Sequence, residues 1–409
     1  PSSLFSSLSC IMASVTERMD DMNVLLGLSG GVDSAVAAYV LKQQGHEVTC
    51  AFMRNWDSFA NNDIKGNPTI QDDVCPQEQD YADAKAVAER LGLPLLRVDF
   101  VKEYWDDVFT VFLDEYRKGR TPNPDILCNK QIKFKAFFDY AKSLGFDTVA
   151  TGHYARVEHL EARSRLLRGV DQNKDQTYFL CQMGKEALRH TLFPIGDLTK
   201  PQVRAIAEEL KLDSVSHKKD STGICFIGER DFRAFLQNYL PAKEGEIINI
   251  ADGHQVGTHC GVLYYTIGQR KGLGIGGDMG PWFVIGKDVA QNILYVCNQD
   301  ERTWLYSDSC IVSNVNWFGA QLPHEEMHCT AKFRYRQKDN AVTLRFMDEH
   351  TAFVTYPQTV ASVTCGQEAV FYDGEECLGG GVIENVYREG EDLNEKILRT
   401  AAALRKGRI

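Results

Sequence analysis

The stretch Ser29-Gly-Gly-Val-Asp-Ser34 constrains this chain more than any other. Val24-Leu25-Leu26-Gly27-Leu28 before it reads as a buried strand, and Ala35 to Gln43 reads as the helix that follows. A glycine turn at that joint suits a phosphate. Gly30 and Gly31 let the backbone approach the anion, helix amides point at it, and Ser29 and Ser34 add hydroxyl donors. Asp33 repels bare phosphate, which leaves it either holding Mg²⁺ or fixing the loop. No Gly-Lys-Ser/Thr is present, so this is not the loop that cradles β- and γ-phosphates in Walker-type nucleotidases.

The first two hundred residues alternate strand and helix. Strands are predicted at 24–28, 47–53, 95–100 and 148–152, with helical spacing in Tyr104, Trp105, Val108, Phe109, Phe112 and Tyr116 and again in Ile132, Ala136, Phe137, Tyr140 and Leu144. That alternation predicts a parallel, doubly wound α/β sheet. Ligands of such sheets sit beyond the C-terminal strand ends, where the 29–34 loop, Met53 and Thr151-Gly152-His153 all fall. Thr199-Lys-Pro-Gln202 predicts a capping box opening another helix. After about residue 226, glycine-rich strand-like segments take over. Alternation in Lys332-Phe-Arg-Tyr-Arg336, Ala341–Phe346 and Thr351–Tyr356 predicts a small linking domain followed by a C-terminal antiparallel barrel. The tail from Glu389 is charged and helix-prone.

Composition narrows the class. At 409 residues, two or three domains are expected, and no apolar run is long enough for a membrane span. Residues 1–22 lack a charged segment before their apolar part, so they read as a disordered extension ahead of Met12 or Met22 rather than a signal peptide. The twelve cysteines contain no Cys-x-x-Cys pair, which points to reduced thiols in a cytoplasmic protein, with Cys50, Cys181 and Cys297 as core filler. A net charge of −11 argues mildly against nucleic acid, unless local basic clusters overrule it. Such clusters exist: Lys130, Lys133 and Lys135; His217, Lys218 and Lys219; Arg270 and Lys271; Lys332, Arg334 and Arg336.

Two cysteines stand where core packing does not explain them. Cys128 ends the polar loop Gly119-Arg-Thr-Pro-Asn-Pro-Asp-Ile-Leu-Cys, just before a helix predicted at 129–145. A thiol at a helix N-terminus has a lowered pKa, and Asp125, three residues upstream, could shuttle a proton. Cys225 lies among Lys218, Lys219 and Gly223, a cationic setting that favours thiolate or persulfide.

The 29–34 loop resembles the pyrophosphate loop of enzymes that cut ATP between the α and β phosphates. Together with Phe52-Met53, Asn55-Trp56, Gly119–Lys130, Ala150-Thr-Gly-His-Tyr154, Lys174-Asp-Gln176, Asp220–Glu229 and Gly268–Gly274, it resembles the tRNA-specific 2-thiouridylase (MnmA) family in its bacterial form, from about Asn23 to Tyr387. The resemblance implies a pyrophosphate-loop domain over 23–226, a small central domain over 227–302, a tRNA-gripping β-barrel over 303–388 and a tail over 389–409. It implies conversion of the wobble uridine of the lysine, glutamate and glutamine tRNAs to 2-thiouridine, by adenylation of the C2 oxygen and sulfur transfer from a cysteine persulfide. ATP and Mg²⁺ are implied, with no permanently bound metal, and a cysteine desulfurase or sulfur-relay protein as donor. By motif, Gly27, Leu28, Ser29, Gly30, Gly31, Val32, Asp33, Ser34, Met53 and Gly152 would bind ATP. Asn123, Pro124 and Asp125 would meet the target base. Cys128 would be the nucleophile, Cys225 the persulfide carrier and Asp125 the general acid/base. His153, Lys174, Asp175, Gln176, Arg334, Tyr335 and Gln367 would touch tRNA. One departure is Val363-Thr-Cys-Gly-Gln367, where the family usually has proline before the glycine.

The residues leave alternatives open. Cys128 could attack the persulfide to free hydrosulfide, or resolve the product as a Cys128–Cys225 disulfide. Asp125, Cys128 and Cys225 could instead hold an iron–sulfur cluster. An amide-forming synthetase would use the same loop without needing either cysteine, and a non-catalytic RNA-binding protein would keep nucleotide only structurally.

Overall fold

The computed structural model describes residues 22–70, 76–219, 224, 225, 227, 230–276, 280–323 and 325–406. The expected extension at 1–22, Met22 apart, lies outside them, as does most of the Asp220–Glu229 motif, of which Ile224, Cys225 and Ile227 are described. The chain divides into two compact units, one of residues 1–108, 125–230 and 375–377, the other of 109–124, 231–374 and 378–409.

The first unit is built on five parallel strands: β1 (Asn23–Gly27), β2 (Glu47–Arg54), β3 (Leu95–Asp99), β4 (Thr148–Thr151) and, after a hairpin of β5 (Ala155–His159) and β6 (Ser164–Arg168), β7 (Thr191–Leu192). Their order is β3-β2-β1-β4-β7, and each neighbouring pair is parallel. The apolar runs in β1, β2 and β4 lack polar alternation because helices cover both faces of the sheet. The Val32–Gln43 helix buries Val36, Val40 and Leu41 against Val24, Leu26 and Cys50 of the sheet. The predicted capping box forms: Gln202 Oε1 accepts from the Thr199 N–H at 2.7 Å, and Val203, Ile206 and Ala207 of the Lys200–Glu209 helix enter the same core. Strand order reverses between β1 and β4, so the crevice at their C-terminal ends is the expected ligand position.

The second unit holds two β structures. β8 (Gly245–Asn249), β9 (Gln255–His259), β10 (Phe283–Asp288) and β11 (Ile293–Cys297) form a sheet of order β10-β11-β8-β9, mixed because β11 and β8 run parallel. β12 (Tyr306–Trp317), β13 (Met327–Lys332), β14 (Asn340–Phe346), β15 (Ala352–Ala361), β16 (Glu368–Asp373) and β17 (Glu376–Arg388) follow. β12 pairs with both β15 and β17, so six strands close into a barrel with no free edge. The tail is a helix, Leu393–Lys406, whose Leu393, Ile397 and Ala401 pack into the unit's core.

One expectation is corrected. Alternation in Lys332–Arg336 is not a strand face: β13 ends at Lys332, and the Gln337 side chain takes the Phe333 N–H at 2.9 Å, closing a turn. The predicted helical spacing from Tyr104 to Tyr116 is present, in Val101–Tyr104, Trp105–Phe109 and Thr110–Arg117, and within the second unit Phe109 and Phe112 meet Phe235, Tyr239 and Phe232 at centroid distances of 5.8, 4.8 and 6.4 Å.

Candidate active site

The nucleotide loop assembles as its residue types require. Gly30 adopts φ 75°, and a Cβ there would lie 2.2 Å from the Asp80 carbonyl oxygen, so only glycine fits. Gly31 caps the Val32–Gln43 helix in extended conformation. The Ser34 hydroxyl accepts from the Ser29 N–H at 3.1 Å and donates to the Gly31 carbonyl at 3.1 Å, drawing the turn around the helix N-terminus. Gly152, just past β4, packs so closely that a Cβ would sit 2.6 Å from the Ser34 nitrogen. The Met53 methyl lies 3.0 Å from the Cβ position of Gly27. The residues expected to bind ATP, Gly27 to Ser34 with Met53 and Gly152, therefore converge on the switch point of the sheet.

Asp33 is already engaged. Both its oxygens accept from Lys200, at 2.7 and 2.9 Å, and Oδ1 also accepts from the Tyr154 hydroxyl at 2.7 Å. Of the two roles considered for it, the geometry favours fixing the loop, since a metal would have to displace the ammonium. Lys218, expected among RNA-facing residues, donates to the Gly30 carbonyl at 3.1 Å and to Asp80 and Asp83 at 2.6 and 2.7 Å. It ties the stem of the Cys225 segment to the nucleotide loop.

Cys128 and Cys225 meet: their side chains hydrogen-bond one another, both as free cysteines. The Asp125 carboxylate accepts from the Cys225 N–H at 2.9 Å, and the Tyr104 hydroxyl donates to the Cys225 carbonyl at 2.9 Å. Lys133 hydrogen-bonds the Cys225 sulfur.

The ionisation pattern differs from the expectation for Cys128. Its helix starts at Pro124, not at 129, and runs on through a π-helical stretch at Asn129–Ala136 into Phe137–Ser143. Cys128 therefore lies inside the helix, where the terminal amides do not reach it. Burial, and the bond to Cys225, push its thiol well up. Cys225 moves the other way, held below the ordinary thiol value by the hydrogen bond from Cys128 and by Lys133, against its own burial. Burial raises Asp125 above the usual carboxylate range, partly offset by the Cys225 N–H and Lys133. Cys225 is thus the more acidic of the two thiols, and Cys128 the one that donates its hydrogen bond.

The expected RNA contacts are mixed. His153 and Asp175 are buried, and Asp175 serves its own loop, accepting from the Gly169 N–H at 3.1 Å and the Thr177 hydroxyl at 2.9 Å. Gln176 accepts from the Tyr154 N–H at 2.9 Å, while Lys174 beside it is half-buried. In the second unit, Arg334 donates to the Ile267 carbonyl and the Thr364 hydroxyl at 2.7 and 2.8 Å, Gln367 donates to the Thr121 carbonyl at 2.7 Å, and Tyr335 is half-buried. Arg270 and Lys271 are exposed. Cys365, at the departure from the family pattern, accepts the Thr121 N–H on its carbonyl at 3.0 Å. Asn123 and Pro124 directly precede Asp125 in the chain. Lys133 and Lys200 are the site residues that sequence reasoning missed, the first because only the π register turns it toward the thiols.

A family model described as tRNA methyl transferase HUP domain matches residues 22–229, and two others, a tRNA methyl transferase PRC-barrel domain and an aminomethyltransferase beta-barrel domain, match 233–298 and 307–383. A Bacillus cytotoxicus protein named tRNA-specific 2-thiouridylase MnmA is 53% identical over 374 residues, covering 91% of this chain and 98% of that one. The chain belongs to the tRNA-specific 2-thiouridylase family. An Acholeplasma laidlawii member is 55% identical over 371 residues, covering 90% and 98% respectively. The family's pyrophosphate-loop domain, mixed-sheet middle domain and closed C-terminal barrel are the architecture described above. Among the described residues no helix is long and apolar enough to cross a membrane, and no cluster of three His, Cys, Asp or Glu side chains is placed to hold a metal ion.

Proposed function

We propose that this chain thiolates the wobble uridine of the lysine, glutamate and glutamine tRNAs at C2, in the cytoplasm, with ATP as activator and a persulfide on Cys225 as the sulfur carrier. The observation that carries the reading is the contact between Cys128 and Cys225 in the unit that also bears the ATP loop. A uracil C2 oxygen is a poor leaving group. Adenylation, with release of pyrophosphate, makes it a good one, and nucleophilic catalysis then divides the substitution into steps.

Residues 27–34, Met53 and Gly152 would hold the nucleotide, with Asn123, Pro124 and Asp125 against the target base. The terminal sulfur of the Cys225 persulfide attacks C2 and AMP departs. Cys128 then attacks the Cys225 sulfur, freeing 2-thiouridine and leaving a Cys128–Cys225 disulfide, which takes two electrons from an external thiol before the next turnover. In the other order, Cys128 first releases hydrosulfide from the persulfide, forming the same disulfide, and hydrosulfide attacks C2. Asp125, with its raised pKa, can give up or take a proton beside both sulfurs. Mg²⁺ would enter with the phosphates, since Asp33 is committed to Lys200. Lys174, Arg334, Tyr335, Gln367 and the exposed Arg270 and Lys271 would meet tRNA, and a desulfurase or sulfur-relay protein would load Cys225.

Nucleoside analysis tests the reading. tRNA from cells lacking this protein should have lost its 2-thiouridine derivatives, and purified protein with ATP, a persulfide donor and unmodified tRNA should restore them. Unchanged 2-thiouridine in the deleted strain would reject it.

A further inference from the structure

Beside the sulfur pair stands a cation to which the motifs assign only a place in a basic surface cluster. We propose that Lys133 is the positioning residue that holds the Cys225 sulfur in its anionic, sulfur-accepting form, and that His153 orients Lys133; the assignment rests on the thiolation reading above.

The backbone explains how Lys133 gets there. In an α-helix, residues five apart point about 140° away from each other (five steps of 100°). The Asn129–Ala136 segment is π-helical, with its i→i+5 repeat, and Phe134 departs further, to φ −114° and ψ 17°. Residues five apart then share a face, as Cys128 and Lys133 do. A helix of ordinary pitch would send that lysine elsewhere.

The neighbours of Lys133 fix its charge and direction. It hydrogen-bonds the Cys225 sulfur, and its Nζ lies 3.5 Å from His153 Nε2. An ammonium only donates, so Nε2 is the bare nitrogen of the ring. The proton then sits on Nδ1, which donates to the Thr151 hydroxyl at 2.7 Å. Thr151 is the last residue of β4, so the lysine is oriented from the rigid sheet through a neutral imidazole. Burial and the charge of Lys133 hold His153 well below the ordinary imidazole value, so the ring does not compete as a second cation. Burial works against the charge of Lys133, but Cys225, Cys128 and Asp125 outweigh it and the net shift is upward.

The groups facing the Cys225 sulfur are therefore Cys128, Lys133 and Asp125, with Tyr104 and His153 completing the surround. Lys133 is the one permanent positive charge among them. The step it serves is sulfur loading: the Cys225 thiolate attacks the outer sulfur of a donor persulfide, the donor S–S bond breaks, and the donor leaves as a thiolate. A second anionic stage, the persulfide itself, meets the same ammonium.

The test uses full-length protein without ATP or tRNA, so it does not depend on the function assigned. Iodoacetamide labelling of Cys225, resolved by peptide mass spectrometry, is followed as a function of pH. Lys133→Gln should move the labelling midpoint upward and slow labelling at neutral pH by about tenfold, one pKa unit. Lys133→Arg should restore most of the rate, and His153→Ala should shift the midpoint in the same direction. An unmoved Cys225 profile in Lys133→Gln would overturn the assignment of Lys133, and an unmoved profile in His153→Ala would overturn the orienting role of His153. If Lys133→Gln does not fold, the His153→Ala profile decides alone. Wild-type protein that makes no 2-thiouridine while Cys225 still responds to Lys133 would remove the thiolation reading and leave this charge pairing standing.

Discussion

The Cys128 thiol donates its hydrogen bond to a Cys225 sulfur 97 positions away in sequence (225 − 128), and this bond is the largest influence holding Cys225 below the ordinary thiol value. Removing the donor should undo it. Cys128→Ala is expected to move the iodoacetamide labelling midpoint of Cys225 to higher pH, so that less thiolate is present at neutrality. An unchanged midpoint would mean that Lys133 alone sets the ionisation.

The same pair predicts a separation of half-reactions. Cys128→Ser and Cys225→Ser should each lower 2-thiouridine formation by roughly 10³-fold or more, the scale seen when a nucleophile is deleted. AMP release in the presence of tRNA should survive, because the ATP loop is a separate set of residues. Loss of AMP formation along with thiolation would show that the cysteines act before sulfur transfer.

Gly152 offers a test of the nucleotide site that leaves the thiols alone. An added Cβ would fall 2.6 Å from the Ser34 nitrogen and 2.8 Å from the Asp33 carbonyl carbon, both in backbone that cannot swing aside. Gly152→Ala should displace the loop and lower kcat/KM for ATP by up to about 100-fold, the order expected for a misplacement near 1 Å. Cys225 labelling should be unaffected. Wild-type ATP kinetics would place the phosphates elsewhere.

These features differ in how far they can be read from sequence. The strand, glycine turn and helix of residues 23–43 were legible because each signal is local: an unbroken apolar run, then Gly30 and Gly31, then helix-compatible residues. The capping box at Thr199 was legible for the same reason. What could not be read depends on distant partners or on helix pitch. Asp33 is satisfied by Lys200 across 167 residues, and the two leave no common motif. Cys128 was placed at a helix start because Pro122 and Pro124 punctuate the preceding loop, yet Pro124 itself begins the helix, where a missing N–H costs nothing. The error in helix start inverted the expected direction of the Cys128 pKa. Lys133 looked like part of a basic surface because no propensity scale signals a π stretch.

Acid should weaken the first unit through His153. Its folded pKa lies well below the ordinary 6.5, because burial and Lys133 disfavour the charged ring. The unfolded chain therefore binds a proton first as pH falls, and linkage makes native stability decline from about 6.5 downward to the folded pKa, with the full contribution present above 6.5. Denaturant midpoints measured on either side of 6.5 should show this slope, and His153→Gln should flatten it. A slope unchanged in that variant would assign the acid sensitivity to other groups.

The far end of the Cys225 segment is anchored by an ion pair that water does not reach. Arg230 and Asp63 are 5% and 0% exposed, joined through Arg230 Nε and Nη2 to Asp63 Oδ2 at 3.0 and 2.8 Å. The same oxygen accepts from the Trp56 indole at 3.1 Å, and Trp56 packs on Tyr104, whose hydroxyl holds the Cys225 carbonyl. Removing one partner of a buried pair strands the other charge, at a typical cost of about 3–5 kcal/mol, whereas replacing both by apolar groups is often near neutral. Arg230→Met should therefore lower stability by about that amount in denaturant titration, and Arg230→Met with Asp63→Leu should recover much of it. If the pair also fixes the sulfur-bearing segment, the double variant will be stable yet slow in thiolation, with normal ATP affinity. A double variant that thiolates at the wild-type rate would confine the pair to stability and leave Tyr104 and Asp125 to hold Cys225 in place.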